Sequence, residues 1–178
     1  MIQESSIDMV AGQFFTNPTK EMYLKQVSSN IHLAHTSVKQ GLNMLKSKAI
    51  IIEVKQKKGT RTFPVYKANR DNPDFRKLKQ IYNFKSIARS EVIEYIEKTA
   101  TPSCVVIFGS YQRGEDIEDS DIDIFIEAKE KNINLKPFER ILGRKIQLHW
   151  NPQFKAYAKE LKNNIANGWI MYGYLEIL

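Results

Sequence analysis

The sequence predicts an α/β (α+β) protein in two units: a helical front closed by a β-hairpin, and a back built on a small mixed sheet. Three observations carry this. Apolar residues recur at helical spacing in three successive segments, and two β-prone runs follow them. Beyond Asn72-Pro73, short apolar or alternating runs interleave with helical stretches. The charge also divides: residues 1–100 hold 17 Lys+Arg against 9 Asp+Glu, and residues 101–178 hold 10 against 11.

The 178 residues allow one ordinary domain or two small ones, and 42% apolar content is enough to close a core. Cys104 is the only cysteine and there are three histidines, which excludes an intrachain disulfide and a Cys/His zinc cluster. No apolar run approaches the roughly 18–20 residues that span a bilayer. The start, MIQESSIDMV, lacks a basic segment followed by an apolar one. A soluble cytoplasmic protein with no membrane partner is expected.

In the front unit, Ile7, Val10, Phe14 and Phe15 share one helical face, and Asn17-Pro18 ends that helix. Thr19 is expected to open a second helix running to about Ser29. His35-Thr36-Ser37 starts a third, with Thr36 and Ser37 as candidate caps and Val38, Leu42 and Leu45 facing inward. Ile50 to Val54 and Thr62 to Tyr66 read as strands, joined by a glycine-containing loop from Lys55 to Arg61.

ANRDNPD, Ala68 to Asp74, is a loop, and Asp74 to about Lys85 is a basic connecting helix. Ser90 to Thr99 is the next helix. Cys104 to Phe108 is a buried strand, and Asp121 to Glu127 alternates as a strand with one apolar face. Leu135, Phe138 and Leu142 mark a helix, and Lys145 to Trp150 a further strand. Phe154, Ala158, Leu161 and Ile165 mark the last long helix, and Trp169 to Ile177 a final strand. The sheet is expected to be covered on one side.

Three helices followed by a basic hairpin resemble the winged helix-turn-helix family over residues 1–70. The resemblance implies a third helix in the DNA major groove, presenting Thr36, Ser37, Lys39, Gln40 and Asn43 beside His35. It also implies a wing whose Lys55, Lys57, Lys58 and Arg61 touch phosphates. Use of this unit for homodimerisation or protein docking is the competing reading.

The back unit holds the chemistry. Gly109-Ser110 follows an apolar strand, and Asp121-Ile122-Asp123 follows ten residues later. On a strand, residues i and i+2 point to one face, so two aspartates converge on divalent cations. Hard oxygens suit Mg²⁺ or Mn²⁺. A glycine lets backbone amides approach a phosphate, a serine hydroxyl adds a donor, and Arg113 adds a charge-assisted contact. Six carboxylates crowd between Glu115 and Asp123 and require solvent or a cation.

Gly109, Ser110, Arg113, Gly114, Ser120, Asp121, Ile122, Asp123 and Ile124 are similar to the signature of the minimal branch of the polymerase-β-like nucleotidyltransferases, G-S-x-A-R-G followed by S-D-I-D-[LI]; Gln112 replaces the usual alanine. The resemblance implies transfer of a nucleoside monophosphate from an NTP, with ATP the first candidate, to an acceptor hydroxyl. Asp121 and Asp123 would be catalytic and hold the metal, and Gly109, Ser110 and Arg113 would hold the nucleotide. Some minimal members are antitoxins acting on a HEPN-type toxin.

The family places a third carboxylate on a later strand, and here that position is Gln147. His149 lies two residues on, on the same strand face, as a candidate base; Glu127 shares a face with Asp123. A catalytically weak regulator or antitoxin is therefore the alternative. The expected organisation is 1–70 winged helix, 71–85 connecting helix, and 86–178 nucleotidyltransferase domain.

Overall fold

The structure, a computed structural model, describes residues 5–154 and 159–176. Ala158 and Ile177, used in the patterns above, lie outside them. The chain divides into two compact units, Met1–Lys79 and Gln80–Leu178.

The first unit contains α1 (Ser6–Thr16), α2 (Leu24–Ile31), α3 (His35–Ser47), β1 (Ile51–Lys58) and β2 (Arg61–Ala68). Val10, Phe14, Val27, Val38 and Leu42 form its fully buried centre. The second helix starts later than the expected Thr19. Met22 exchanges two backbone hydrogen bonds with Tyr66, both 2.9 Å, which holds the chain extended up to Tyr23. Ala34, not Thr36 or Ser37, is the residue before α3, and it caps without a side-chain hydrogen bond. The hairpin is longer than its apolar cores suggested. Pairing runs from Ile51↔Ala68 to Lys58↔Arg61, so the turn is Gly59-Thr60 and the cations belong to the strands. Backbone pairing extends a ladder past the point where apolar alternation stops.

The helix α4 (Pro73–Ser90) crosses the division between units. It outruns the expected Lys85 because the break falls at Glu91, whose φ is +59°. Ser90 Oγ accepts the Val92 N–H at 3.3 Å, so Ser90 closes one helix while capping the next. The second unit continues with α5 (Val92–Ala100), β3 (Cys104–Phe108), α6 (Gly109–Gln112), β4 (Ile122–Ile126), α7 (Lys136–Leu142), β5 (Ile146–Trp150), α8 (Lys159–Ala166) and β6 (Trp169–Gly173).

Its sheet is mixed, in the order β5-β4-β3-β6, with β4 and β5 parallel and the other pairs antiparallel. Side chains alternate across it. Val105, Ile107, Ile122, Ile124 and Ile126 pack with Ile87, Val92, Ile93 and Ile96 on one face. Cys104, Val106, Phe108 and Phe125 pack with Phe154 and Ile165 on the other. The expectation of one covered side is corrected: α8 and Phe154 cover the second. The unbroken apolar run Cys-Val-Val-Ile-Phe is what a strand buried on both faces needs.

Two edge features shape this sheet. Ile146 N–H on the outer strand β5 donates to Glu139 Oε1 at 3.0 Å. At the other edge, the β3–β6 ladder shifts register between Val105 and Val106. There Gly173 has φ +67°, and a Cβ on it would stand 1.9 Å from the Ser103 carbonyl oxygen.

Burial pushes the Cys104 thiol from its ordinary 9.0 up to about 11, and the Glu127 charge adds to the effect. The thiol is expected to resist iodoacetamide in the native protein at pH 8 and to react fully in urea, as thiol titration reports. Because the unfolded chain loses this proton first, the same group removes stability as pH rises from about 9 toward about 11.

Candidate active site

Phe108 ends β3 in extended conformation, and Gly109 turns the chain with φ +81° into the short helix α6. A side chain fails at Gly109 for a second reason: its Cβ would lie 2.5 Å from Asp123 Oδ2. The glycine turn and the second aspartate are therefore in direct contact. Register explains how: Asp123 pairs with Phe108 on one side and with Gln147 on the other.

Asp123 is held from the opposite direction too. His149 Nε2 stands 2.9 Å from Asp123 Oδ1, and since a carboxylate accepts, the ring nitrogen donates. The imidazole packs against Phe108 at 5.0 Å between ring centres. The Asp123 and His149 side chains are 25% and 21% exposed.

Asp121 lies one residue before β4 and is exposed, with fully buried Ile122 between it and Asp123. Asp121 also lines an open cleft of about 770 Å³ with Ser120, Lys136, Arg140 and Lys145. That cleft reaches neither Asp123 nor the Gly109 turn. Ser110 is half-buried, and its carbonyl accepts the Glu115 N–H at 2.9 Å. Arg113 Nε donates to Glu115 Oε2 at 2.8 Å. Glu127 Oε1 accepts the Phe154 N–H, and Glu127 Oε2 accepts the Ser103 hydroxyl, so this acid supports the strand end rather than the site.

The sequence reading missed the groups that pin this loop. Asp116 is 1% exposed. It accepts from Asn83 Nδ2 at 2.9 Å and faces Arg144 Nη2 at 3.5 Å. Asn83 also donates to the Tyr111 carbonyl, and Arg144 Nη1 to the Glu118 carbonyl. Three segments, α4, the turn after α6 and the α7–β5 loop, thus close on one carboxylate. Of the six crowded acids, Asp116 is compensated by Arg144 and Glu115 by Arg113. The crowding was the visible signal; the partner, 28 residues away, had none. Burial, reinforced by the Asp116 charge, pushes the Tyr111 phenol upward, so Tyr111 stays a neutral core group.

Among the described residues, no three His, Cys, Asp or Glu side chains are grouped closely enough to hold a metal ion by themselves. In the first unit, Thr36, Lys39, Gln40 and Asn43 are exposed and fall on one face of α3 by their spacing, while Ser37 is half-buried. Lys57, Lys58 and Arg61 are exposed at the hairpin tip, with Lys58 and Arg61 directly opposite each other. Among the described residues no helix is long and apolar enough to cross a membrane.

Residues 90–170 match the family described as polymerase beta, nucleotidyltransferase. Two proteins of Methanocaldococcus jannaschii are similar to this chain, and both carry the provisional name of protein adenylyltransferase. One is 35% identical over 79 residues, covering 40% of this chain and 78% of the relative. The other is 43% identical over 63 residues, covering 35% and 72%. The chain belongs to the polymerase beta nucleotidyltransferase family. No solved structure matches it. Membership in the nucleotidyltransferases makes an NTP the class of substrate and nucleotidyl transfer the class of activity.

Asp116→Ala leaves the Arg144 charge buried without its carboxylate. It is expected to lower unfolding free energy by about 3–5 kcal/mol, read from the urea midpoint.

Proposed function

We propose that residues 86–178 form a nucleotidyltransferase domain that moves AMP from ATP to a protein hydroxyl with Mg²⁺ or Mn²⁺. The observation that carries the reading is the contact between Asp123 and Gly109, which joins a cation-binding acid to a phosphate-binding turn. The protein acceptor is taken from the names of the two relatives.

The donor set fits the metal. Mg²⁺ is commonly held by one or two carboxylates and completes its shell with water and substrate phosphates. Asp121 and Asp123 supply that minimum, and the lack of a preformed three-residue cage among the described residues agrees with it. Once bound, the ion supplies charge neutralisation at the phosphates and lowers the pKa of a coordinated hydroxyl. The chain's own residues do the rest. Gly109 lets the backbone approach the terminal phosphates, and the Ser110 hydroxyl hydrogen-bonds them. Arg113 exchanges an exposed pairing with Glu115 for a phosphate oxygen, and exposed pairs are worth about 0–1 kcal/mol.

The competing reading is a weak or inactive enzyme acting as a regulator or antitoxin with a toxin partner. Its motive is Gln147, the neutral amide aligned with Asp123 in the β4–β5 ladder. Residues 1–70 are read as a DNA-binding winged helix joined through residues 71–85, with homodimerisation as its rival. The opposed Lys58 and Arg61 support DNA, because like charges across a ladder repel and a phosphate relieves them.

With α-labelled ATP, Mg²⁺ and candidate protein acceptors, label transfer is expected. Asp121→Ala combined with Asp123→Ala is expected to reduce it by about a thousandfold, the equivalent of several kcal/mol of lost charge stabilisation. Undiminished transfer by that variant would reject the assigned roles. Neutralising Lys57, Lys58 and Arg61 is expected to lower the slope of log affinity for duplex DNA against log salt by about 3. An unchanged slope removes the hairpin from the interface.

A further inference from the structure

The loop between β4 and α7, together with the outer strand β5, leaves a second open cleft of about 760 Å³. Ile133, Ile146, Leu148 and Trp150 line it, and all four are only partly buried. The cleft that Asp121 lines carries exposed Lys136, Arg140 and Lys145. Lys136 and Glu139 line both clefts, so the two adjoin at α7. They form one trough, charged at the Asp121 end and apolar at the Trp150 end.

Size and charge narrow the occupant. Pockets for small molecules span about 300–1,000 Å³. Each cleft alone falls in that range, and the two joined exceed it, which suits an extended chain. Lys136 and Arg140 stand four residues apart on α7, where like charges are neighbours and repel. Neither makes an ion pair among the described residues. An acidic side chain laid between them relieves the repulsion. Asp119 and Glu130 also line the trough and oppose a continuous polyanion such as nucleic acid. Charges of both signs beside apolar walls match a polypeptide.

The trough shares Asp121 with the proposed metal site, and neither Gly109 nor Ser110 lines it. An in-line displacement needs this division of space, with the acceptor on one side of the phosphorus and pyrophosphate on the other. We infer that the trough binds the acceptor: an extended protein segment with its hydroxyl residue beside Asp121, an acidic residue between Lys136 and Arg140, and an apolar residue against Trp150. The inference rests on the nucleotidyl-transfer reading above and gives that reaction its acceptor site. The hydroxyl oxygen bonds the α-phosphorus, the bond from that phosphorus to the pyrophosphate oxygen breaks, and the hydroxyl proton passes to solvent.

The test uses the full chain and its two tryptophans, Trp150 in the trough and Trp169 on the opposite edge strand. Their indole N–H signals, assigned with Trp169→Phe, are followed in ¹H–¹⁵N spectra without nucleotide. The probe is a decapeptide carrying leucine, two glutamates and one tyrosine in that order, and the same peptide in reverse order. One of the two is expected to shift the Trp150 signal saturably at millimolar concentration and to leave Trp169 in place. Replacing its glutamates by lysines is expected to weaken it at least about tenfold, and Lys136→Glu combined with Arg140→Glu to invert that preference. No saturable shift at Trp150, or a preference unchanged in the double variant, would overturn the trough. An oligothymidylate decamer saturating Trp150 at lower concentration than the peptide would overturn the protein occupant. Peptide bound selectively but unlabelled by α-labelled ATP, in a protein that labels another protein acceptor, would overturn the acceptor role and leave the transferase standing. Selective peptide binding without any ATP binding in Mg²⁺ or Mn²⁺ would overturn the transferase reading and the acceptor role, with the trough kept as a peptide site.

Discussion

One buried charge pair organises the second unit of the chain. Asp116 and Arg144 have side chains 1% and 6% exposed; Asp116 also accepts from Asn83, and Arg144 also donates to the Glu118 carbonyl. Removing two ions from water is unfavourable unless their geometry is well satisfied. Here the satisfying groups come from α4, from the turn after α6 and from the loop entering β5. Satisfying this carboxylate therefore fixes where the turn from Gly109 to Ser120 runs. The turn delivers Asp121 and Asp123 to the start of β4 and leaves the Gly109 turn against the second of them.

Strand register does the remaining positioning. β4 has neighbours on both sides, one antiparallel and one parallel. Asp123 therefore meets the end of β3 and the second residue of β5 at once, and a one-residue slip in either ladder would turn it to the opposite, core-packed face. The apolar alternation Ile122, Ile124, Ile126 resists such a slip, because all three are fully buried. Core packing and site geometry are here one constraint.

The legible part of the molecule was the local part. Asp121-Ile122-Asp123, the Gly109-Ser110 turn and the Cys104–Phe108 strand announce themselves through period-two alternation, a breaker residue and an apolar run. The unreadable part was what folds back from a distance. Arg144 is one cation among 27, and nothing in its neighbourhood marks it as the partner of Asp116. The contact between His149 and Asp123 was visible only as a shared strand face. The second cover of the sheet depends on Phe154 and Ile165 returning across it. In the front unit, Met22 is held by Tyr66 in an extended bridge that local helix propensity at Thr19 to Tyr23 did not foresee.

Both outer strands of the four-stranded sheet carry interruptions. On β5, the Glu139 side chain occupies the Ile146 N–H. On β6, a register shift and a left-handed glycine tight against Ser103 bend the ladder out of regularity. An exposed, regular strand edge is a template on which a neighbouring molecule assembles by backbone pairing, and charge or distortion at the edge blunts it. Glu139 and Gly173 thereby interrupt the two edges of a sheet whose central strands are strongly apolar.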